Sequence, residues 1–484
     1  MSPADTRRNR ACGMNGVPQW VRPCKGTVAR TCCATSPTMR ETQMRTVERL
    51  LSLLDHLRLE VAHFATQVPG DIVGLAEEHP ERIAGLVLCV PTRLDARPFA
   101  RVADRLLMIS GELGLSAQMT LRAKERLPQA QRRVLDGYDP AGWSDVVADR
   151  CEHIGRWMSE FLSTRQPAAA CAGVRCEPNK AFAGKSGTHA GLSFTVSGRG
   201  PALVLLPLFL AASQWEPALP ELTRHFTVIQ LGGPHIGGVA ALEDRASAPT
   251  YQAMFRTLVD LMAPSPGGRI LEVGCGSGAL VRTLAARLGP EARIDAVDVN
   301  RFLLREAAAL AGDLGQRIRF APGSALALPF ADGTFDHVYS VTMLEECDAD
   351  AAIAEIVRVA RPGARIGLVV RATDMAQWWN LELPAELKAK AMVPPLSISP
   401  GGVADASLYR RMQRAGLGDL RAFQALVTLD APDGPIWRYR EDPVLSQLSP
   451  EETATWNAAR AAAAGEGLLM QAHAFHCAVA TKRG

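Results

Sequence analysis

The stretch RILEVGCGSG, residues 269–278, determines how the second half of this 484-residue chain folds. It passes from apolar residues through an acid, Glu272, to three glycines at alternate positions, Gly274, Gly276 and Gly278. Glycine is needed where a chain turns tightly from strand into helix and where a ligand lies against bare backbone near the helix N-terminus. The pattern predicts a strand, loop and helix that bind a nucleotide or nucleoside cofactor, without choosing between cofactors.

A second acid lies where such units bind a ribose. Asp298 closes the run IDAVD, one strand and one helix beyond the glycines. A carboxylate at the end of this second strand accepts hydrogen bonds from ribose hydroxyls. Gly274, Gly276 and Ala279 also satisfy a loose nicotinamide fingerprint, so a nicotinamide-dependent oxidoreductase remains a possible interpretation here.

Strand-like and helix-like segments alternate from Tyr251 to the end of the chain. Apolar runs such as 293–297 and 335–341 are separated by stretches with helical periodicity, such as 279–289. Alternation at this spacing is typical of a doubly wound parallel α/β sheet. We therefore expect residues 250–484 to form one α/β domain.

Three further features separate the two cofactor classes. Glu272 lies inside the strand where a nicotinamide site normally has an apolar residue, and no Tyr-x-x-x-Lys follows Gly278. The blocks GSALALPFADGTFDHVYS (323–340) and AAIAEIVRVARPGARIGLVV (351–370) come next. In order and spacing these blocks resemble class I S-adenosylmethionine-dependent methyltransferases, particularly the small-molecule branch that includes quinone-ring methylases. The resemblance implies a Rossmann-like seven-stranded domain and S-adenosyl-L-methionine as cofactor.

Carried onto this sequence, the resemblance implies a cofactor site formed by Glu272, Gly274, Cys275, Gly276, Asp298, Val299, Ser324 and Ala325. Glu272 would pair with the ammonium of the methionine part, which the glycine loop faces, and Asp298 would bind the ribose. Val299 would cover the adenine face, and Ser324 with Ala325 its edge. Many relatives have Asp where Ser324 stands, and a hydroxyl accepts without charge assistance, so we expect modest cofactor affinity.

The sequence does not single out a catalytic residue. His337, Glu345, His473 and His476 are candidates for a general base, which is needed only for a poorly acidic acceptor. The insertions at 374–404 and 430–467 should form the acceptor pocket, and their apolar character predicts a small, apolar acceptor. Because Ser324 stands where many relatives have Asp, a cofactor-binding regulatory protein without turnover is a further alternative.

Composition excludes several classes of partner. A net charge of +3 and a hydrophobic fraction of 47% are those of an ordinary globular protein without a nucleic-acid surface. No run approaches the roughly 18 apolar residues that cross a bilayer. Eleven cysteines without paired spacing predict neither a metal site nor a disulfide framework. We expect a cytoplasmic protein that binds neither membrane nor nucleic acid.

The first half resembles an α/β-hydrolase whose parts occur in reversed order. Residues 44–165, including HFATQVPGDIVGLAEEHPERIAGLVLCVP (63–91), resemble its C-terminal half, and residues 190–240 its N-terminal half. Residues 166–189 are predicted to be a linker and residues 1–43 a disordered extension. Either a circular permutation or two truncated units accounts for this order, and we expect one compact domain.

The chemistry of a hydrolase is absent from this half. A nucleophile elbow requires G-x-S-x-G, but the chain has Thr66 and Gln67 at this place. Glu112 could stand for the acidic member of a triad, yet no histidine follows where the base belongs. The sequence therefore predicts a methyltransferase preceded by a catalytically inactive, hydrolase-like region.

Overall fold

The computed structural model describes residues 44–138, 146–165, 175–394, 398–430, 432, 434–445 and 447–484. The predicted disordered extension, 1–43, lies outside the described residues. Residues 44–484 form one compact unit. Within the described part of the chain, no helix has both the length and the apolar character that a membrane span requires.

The first sheet has eight strands: β1 (Ala62–Thr66), β2 (Ile83–Cys89), β3 (Leu106–Gly111), β4 (Gln131–Leu135), β5 (Ser186–His189), β6 (Leu192–Gly198), β7 (Ala202–Leu205) and β8 (Thr227–Gly232). Its helices are α1 (Thr46–His56), α2 (Val73–Glu78), α3 (Gly114–Arg126), α4 (Val146–Ser163) and α5 (Leu219–His225). The strand order is β4-β3-β2-β1-β7-β8-β6-β5. Because β1 pairs in parallel with both β2 and β7, segments 44–165 and 190–240 share one sheet.

The burial pattern of each strand agrees with whether it pairs in parallel or antiparallel. The central strands β1, β3 and β7 are buried at every position, as expected for parallel strands covered on both faces. In β6 buried and exposed residues alternate, and this strand pairs antiparallel with β8 and β5. The last residues of the segment predicted to be a linker, 186–189, form β5 at the edge of this sheet.

The second sheet contains β9 (Arg269–Val273), β10 (Arg293–Asp298), β11 (Ile318–Pro322), β12 (Phe335–Val341), β13 (Ala360–Arg371), β14 (Trp378–Trp379), β15 (Leu417–Leu429) and β16 (Gln471–Lys482). Its helices are α6 (Gly237–Ser247), α7 (Pro249–Met262), α8 (Ala279–Leu288), α9 (Arg301–Ala311), α10 (Ala349–Val359), α11 (Ala385–Met392), α12 (Ser407–Arg414), α13 (Pro435–Leu445) and α14 (Pro450–Gly465).

The order of the second sheet is β11-β10-β9-β12-β13-β16-β14, with β15 also paired to β16. Strands β9 to β13 are parallel, which confirms the predicted α/β fold. The sheet is mixed rather than wholly parallel, because β16 is antiparallel to each of its neighbours. The chain turns in opposite directions on the two sides of β9, and ligands bind at the carboxyl ends of strands at such a switch point.

The two sheets are joined by direct contacts. Leu210, Ala211 and Val239 pack against Phe302 and Leu303 of α9 in an apolar cluster. The Arg438 side chain of α13 donates a hydrogen bond of 2.9 Å to the Gly70 carbonyl, just after β1. The first sheet therefore supports helices that lie at the carboxyl edge of the second.

Candidate functional site

The glycine loop between β9 and α8 needs glycine for two reasons. The φ angles of Gly274, Gly276 and Gly278 are 77°, 54° and 75°, which L side chains rarely adopt. A Cβ on Gly274 would also lie 2.5 Å from the Met343 Cγ atom. The Gly274 and Cys275 amides donate to the Val297 carbonyl at 2.8 and 3.0 Å, which fixes the loop beside β10.

Asp298 lies at the mouth of this loop. Its Oδ2 atom accepts a hydrogen bond of 2.9 Å from the Gly276 amide, and Oδ1 accepts one of 2.8 Å from the Asn300 amide. Burial raises the pKa of this carboxyl, and the backbone donors oppose the increase. Each oxygen retains acceptor capacity, so the carboxylate can also accept from a ligand hydroxyl.

Glu272 is a buried acid with an unsatisfied oxygen. It is 2% exposed, and Oε2 contacts no hydrogen-bond donor among the described residues. Burial, and after it the nearby charge of Asp298, raises its pKa to about 8. Such an atom is costly unless a ligand satisfies it, and a cationic group would suit it best.

The remaining predicted residues lie on the loops after β10 and β11. The Val299 side chain is 78% exposed directly after Asp298, and Leu326, which the sequence analysis did not select, is also exposed. The Ser324 Oγ atom accepts from the Leu326 amide at 3.2 Å, and Ala325 packs against the core. Cys275 is buried, so only its backbone faces the loop.

Helix α6 covers the glycine loop, which sequence reasoning missed. Glu243 accepts hydrogen bonds of 2.5 Å from both the Ser277 hydroxyl and the Arg282 guanidinium. A Cβ on Gly276 would lie 3.3 Å from Leu242. The sequence offered no indication of this contact, because α6 follows the first sheet and precedes the methyltransferase-like blocks.

Two of the four candidate bases have structural roles. His337 lies near the amino end of β12, away from the loop, and its Nε2 atom accepts from the Ser265 amide at 3.3 Å. His476 contacts Asp374 Oδ1 at 2.8 Å and the Tyr409 hydroxyl at 3.0 Å. Both ring nitrogens of His476 are thus engaged, as expected for a strand residue that positions neighbouring segments.

The other two candidates lie at the carboxyl edge of the second sheet. Glu345 is fully buried and its Oε1 atom accepts from the Arg371 amide at 2.7 Å. His473 is 4% exposed, and its Nδ1 atom lies 3.3 Å from Gln471 Oε1. Its Nε2 atom has no hydrogen-bond partner within the described chain. Burial, followed by nearby arginine charges, holds the pKa of His473 well below its usual range, so the ring is neutral.

Three tryptophans cover this edge. The Trp379 ring lies 5.4 Å from Trp437 and 5.1 Å from Trp456, both in edge-to-face contact. The two latter indoles donate to Glu441 at 2.7 and 2.8 Å. Trp378, in contrast, is exposed. We call Trp379, Trp437 and Trp456 the tryptophan cluster; it brings together the two insertions predicted to form the acceptor pocket.

Comparison with known proteins identifies the family. Residues 270–363 match a family described as a methyltransferase domain. O-methyltransferase resE of Aspergillus sclerotiorum is 32% identical over 184 residues, which are 37% of this chain and 67% of that protein. The chain belongs to the class I S-adenosylmethionine-dependent methyltransferases. Nocamycin O-methyltransferase of Saccharothrix syringae is 29% identical to this methyltransferase over 216 residues, 40% of this chain and 75% of that protein.

A solved structure, YcgJ of Bacillus subtilis, is 18% identical to the methyltransferase, with a TM-score of 0.35 over 48% of this chain and 99% of that one. The family assignment confirms the predicted cofactor, S-adenosyl-L-methionine, and decides against a nicotinamide-dependent oxidoreductase. The residues present fit this cofactor. The Asp298 carboxylate can accept from the ribose hydroxyls, and the unsatisfied Glu272 oxygen suits the ammonium group of the cofactor.

Proposed function

We propose that this methyltransferase methylates a hydroxyl oxygen of a small acceptor with a largely apolar body. The observation that supports an oxygen acceptor is the unpaired Nε2 atom of His473, buried at the same sheet edge as the glycine loop. When Nδ1 donates to Gln471, Nε2 is left as a proton acceptor. The tryptophan cluster provides the apolar surface for the acceptor. The two O-methyltransferase relatives agree with this choice.

We further propose that the predicted residues bind the cofactor as the family resemblance implies. Glu272 pairs with the ammonium, Asp298 with the ribose hydroxyls, and Val299 covers the adenine, with Ser324 and Ala325 at its edge. The bound cofactor supplies an electrophilic methyl group on a sulfonium. The protein aligns the acceptor and excludes water, which can be worth roughly 7–11 kcal/mol. His473 accepts the hydroxyl proton at Nε2.

Calorimetric titration with S-adenosylhomocysteine tests the cofactor site. Asp298→Asn preserves the shape of the side chain and one acceptor oxygen, but removes the charge that strengthens the ribose hydrogen bonds. We expect at least tenfold weaker binding, since hydrogen bonds to a charged group contribute about 1.5–3 kcal/mol. Asp313→Ala, at an exposed position on the same domain, is the control and should bind normally. Equal affinity of Asp298→Asn and the wild type would refute the site.

A panel of phenols and enols then tests turnover. We expect methyl transfer to oxygen in the wild type and a loss of kcat in His473→Gln, with S-adenosylhomocysteine affinity unchanged. Tight cofactor binding without product from any acceptor would favour the regulatory alternative. Transfer to carbon alone would refute the choice of oxygen.

For the first half, we propose one inactive, permuted α/β-hydrolase-like domain. The support is that 44–165 and 190–240 contribute to one sheet, with 175–189 adding β5 at its edge. Of the described non-glycine residues with positive φ, none lies between 62 and 70, so β1 lacks the strained elbow of a nucleophile. Gln67 instead donates to the Val90 carbonyl at 3.2 Å.

Two measurements test this domain. We expect no hydrolysis of nitrophenyl esters above the buffer rate, because the nucleophile and base of a hydrolase are missing from this sequence. Ester hydrolysis by the wild type that is abolished in Gln67→Ala would contradict this expectation. Limited proteolysis should leave 44–165 and 190–240 associated. Digestion of 44–165 that spares 187–484 would contradict a single domain and favour two truncated units.

A further inference from the structure

Three arginines converge on His473 at the carboxyl edge of the second sheet. Arg245 belongs to α6, Arg371 ends β13 and Arg440 lies in α13. Arg371 is paired across the strands with Phe475, which is on the same face of β16 as His473. After burial, the charges of Arg440, Arg245 and Arg371, in that order, lower the pKa of His473. All three guanidinium groups therefore lie near this one side chain.

Arg440 and Arg245 form no ion pair among the described residues, although the charge of Glu345 lies near enough to Arg440 to raise its pKa. Arg440 is 3% exposed, and its Nε and Nη2 atoms are buried without an acceptor; the Nε atom of Arg245 is likewise unpaired. Across the described ranges, no carboxylate lies within ion-pair distance of either. Arg371 differs, because Glu345 and Glu346 each lie 3.3 Å from it.

An unpaired buried guanidinium opposes folding. Removing a charge from water costs several kcal/mol even after relaxation, unless a partner compensates for it. Here burial, followed by the charge of Arg371, lowers the pKa of Arg440 to about 9, yet the group is still charged at pH 7. The Tyr439 ring lies 6.0 Å from the Arg440 guanidinium, but no described residue accepts a hydrogen bond from its buried Nε and Nη2 atoms.

Two neutral donors belong to the same buried cluster. The Tyr251 hydroxyl and the Gln471 Nε2 atom are buried, and neither has a hydrogen-bond partner among the described residues. The Arg245 guanidinium lies 5.3 Å above the Tyr251 ring, and this ring is 5.7 Å from Phe475, which is 5.0 Å from the His473 ring. The unpaired atoms thus belong to one continuous cluster, and most of them are donors. One carboxylate oxygen, Glu345 Oε2, is also unpaired, but its partner Oε1 faces Arg371.

The pocket adjoins the cofactor site through Tyr251. Burial raises the pKa of this phenol, the charge of Arg245 lowers it, and the charges of Glu345 and Glu272 raise it again. Tyr251 is therefore close to the acid proposed to bind the cofactor ammonium and also to Arg245, whose guanidinium lies 5.3 Å from its ring. A molecule held by the arginines would be next to the methyl-donating end of the site.

We propose that the acceptor carries an oxyanion group, a carboxylate or a phosphate, that Arg440 and Arg245 bind in this pocket. This inference rests on the proposed function, since it assigns a charged end to the acceptor whose apolar body contacts the tryptophan cluster. Guanidinium groups suit such oxyanions because their planar fork donates two parallel hydrogen bonds. The bound anion also offsets the charges that suppress protonation of His473, so acceptor binding makes the ring a better proton acceptor.

Calorimetry with benzoate, phenyl phosphate and uncharged benzamide tests this pocket, with and without saturating S-adenosylhomocysteine. We expect at least one anion to bind tenfold or more tightly than benzamide, and its identity distinguishes carboxylate from phosphate. Arg440→Met should remove this preference, and Arg245→Met should do so independently, with cofactor affinity unchanged. Arg421→Met, the same substitution at an exposed position on β15, should behave as wild type.

Thermal unfolding separates a binding role from a structural one. Because the Arg440 Nε and Nη2 atoms have no acceptor among the described residues, Arg440→Met should have an equal or higher Tm. A lower Tm with unchanged anion binding would overturn the proposal. If the wild type binds S-adenosylhomocysteine but binds benzamide and both anions equally, the proposal is also overturned. If the wild type does not bind S-adenosylhomocysteine, the proposed function itself is refuted. Equal weakening in Arg421→Met would assign the effect to overall charge and also overturn it.

Discussion

Cofactor binding should release a proton from Glu272. Burial raises the pKa of this acid to about 8, so the free protein at pH 7 holds it mainly as the neutral acid. The ammonium of the cofactor favours the carboxylate, because an opposite charge stabilises the ionised form. Binding therefore lowers the pKa of Glu272 and displaces its proton. The affinity for the cofactor should therefore rise with pH up to the pKa that Glu272 has in the free protein.

The size of this effect follows from the distance between pH and pKa. At pH 7, about one unit below the pKa, roughly one molecule in eleven has Glu272 ionised, which costs about 1.4 kcal/mol of binding free energy. The dissociation constant should fall by nearly tenfold for each pH unit between 5.5 and 7.5. Above about pH 8 the dissociation constant should level off, because Glu272 is then ionised in the free protein as well.

Titration of S-adenosylhomocysteine at pH 7 in buffers of different ionisation enthalpy measures the proton directly. We expect release of about 0.9 proton per site, and none in Glu272→Gln. Glu306→Gln is the matched control, because burial also raises the pKa of Glu306, and its carboxylate lies beside Gly232 of the first sheet. A dissociation constant independent of pH from 5.5 to 7.5, with no proton release, would refute the pairing of Glu272 with the ammonium.

Three further substitutions have defined outcomes. Gly274→Ala should lower the free energy of unfolding by about 2–5 kcal/mol through left-handed strain and a clash with Met343. Gly267→Ala is the control, because its φ is 73° but no atom lies within 4 Å, so it should show only the strain of about 1–2 kcal/mol. Equal losses of unfolding free energy in denaturant titrations would contradict the clash. Glu441→Gln leaves two buried indole donors and an arginine with a weaker acceptor, so hydrogen exchange in 435–465 should accelerate and acceptor KM should rise; unchanged exchange would argue against this role. Ser324→Asp should tighten S-adenosylhomocysteine binding about fivefold through a charge-assisted hydrogen bond, and weaker binding would place the adenine elsewhere.

The cofactor half of the site could be predicted from sequence because its geometry is local. A strand, a turn that requires positive φ and a helix follow one another within 269–288, and the next strand ends at Asp298. The hydrogen bond from the Gly276 amide to Asp298 joins residues only one βα unit apart. Backbone sterics and parallel pairing fix such an arrangement wherever the chain folds at all.

The buried cluster proposed to bind the acceptor, and the arrangement of the first sheet, were decided by tertiary structure. Arg245, Arg371, Arg440 and His473 occur far apart in ordinary helix or strand contexts, and only packing buries the Nε and Nη2 atoms of Arg440 and the Nε atom of Arg245 without an acceptor among the described residues. Likewise, the pairing of β1 with β7 joins segments separated by the predicted linker. The sequence by itself determined the family and the cofactor, and it predicted the glycine loop that we propose binds it. The charge of the pocket depends on desolvation by distant residues, which no local pattern records.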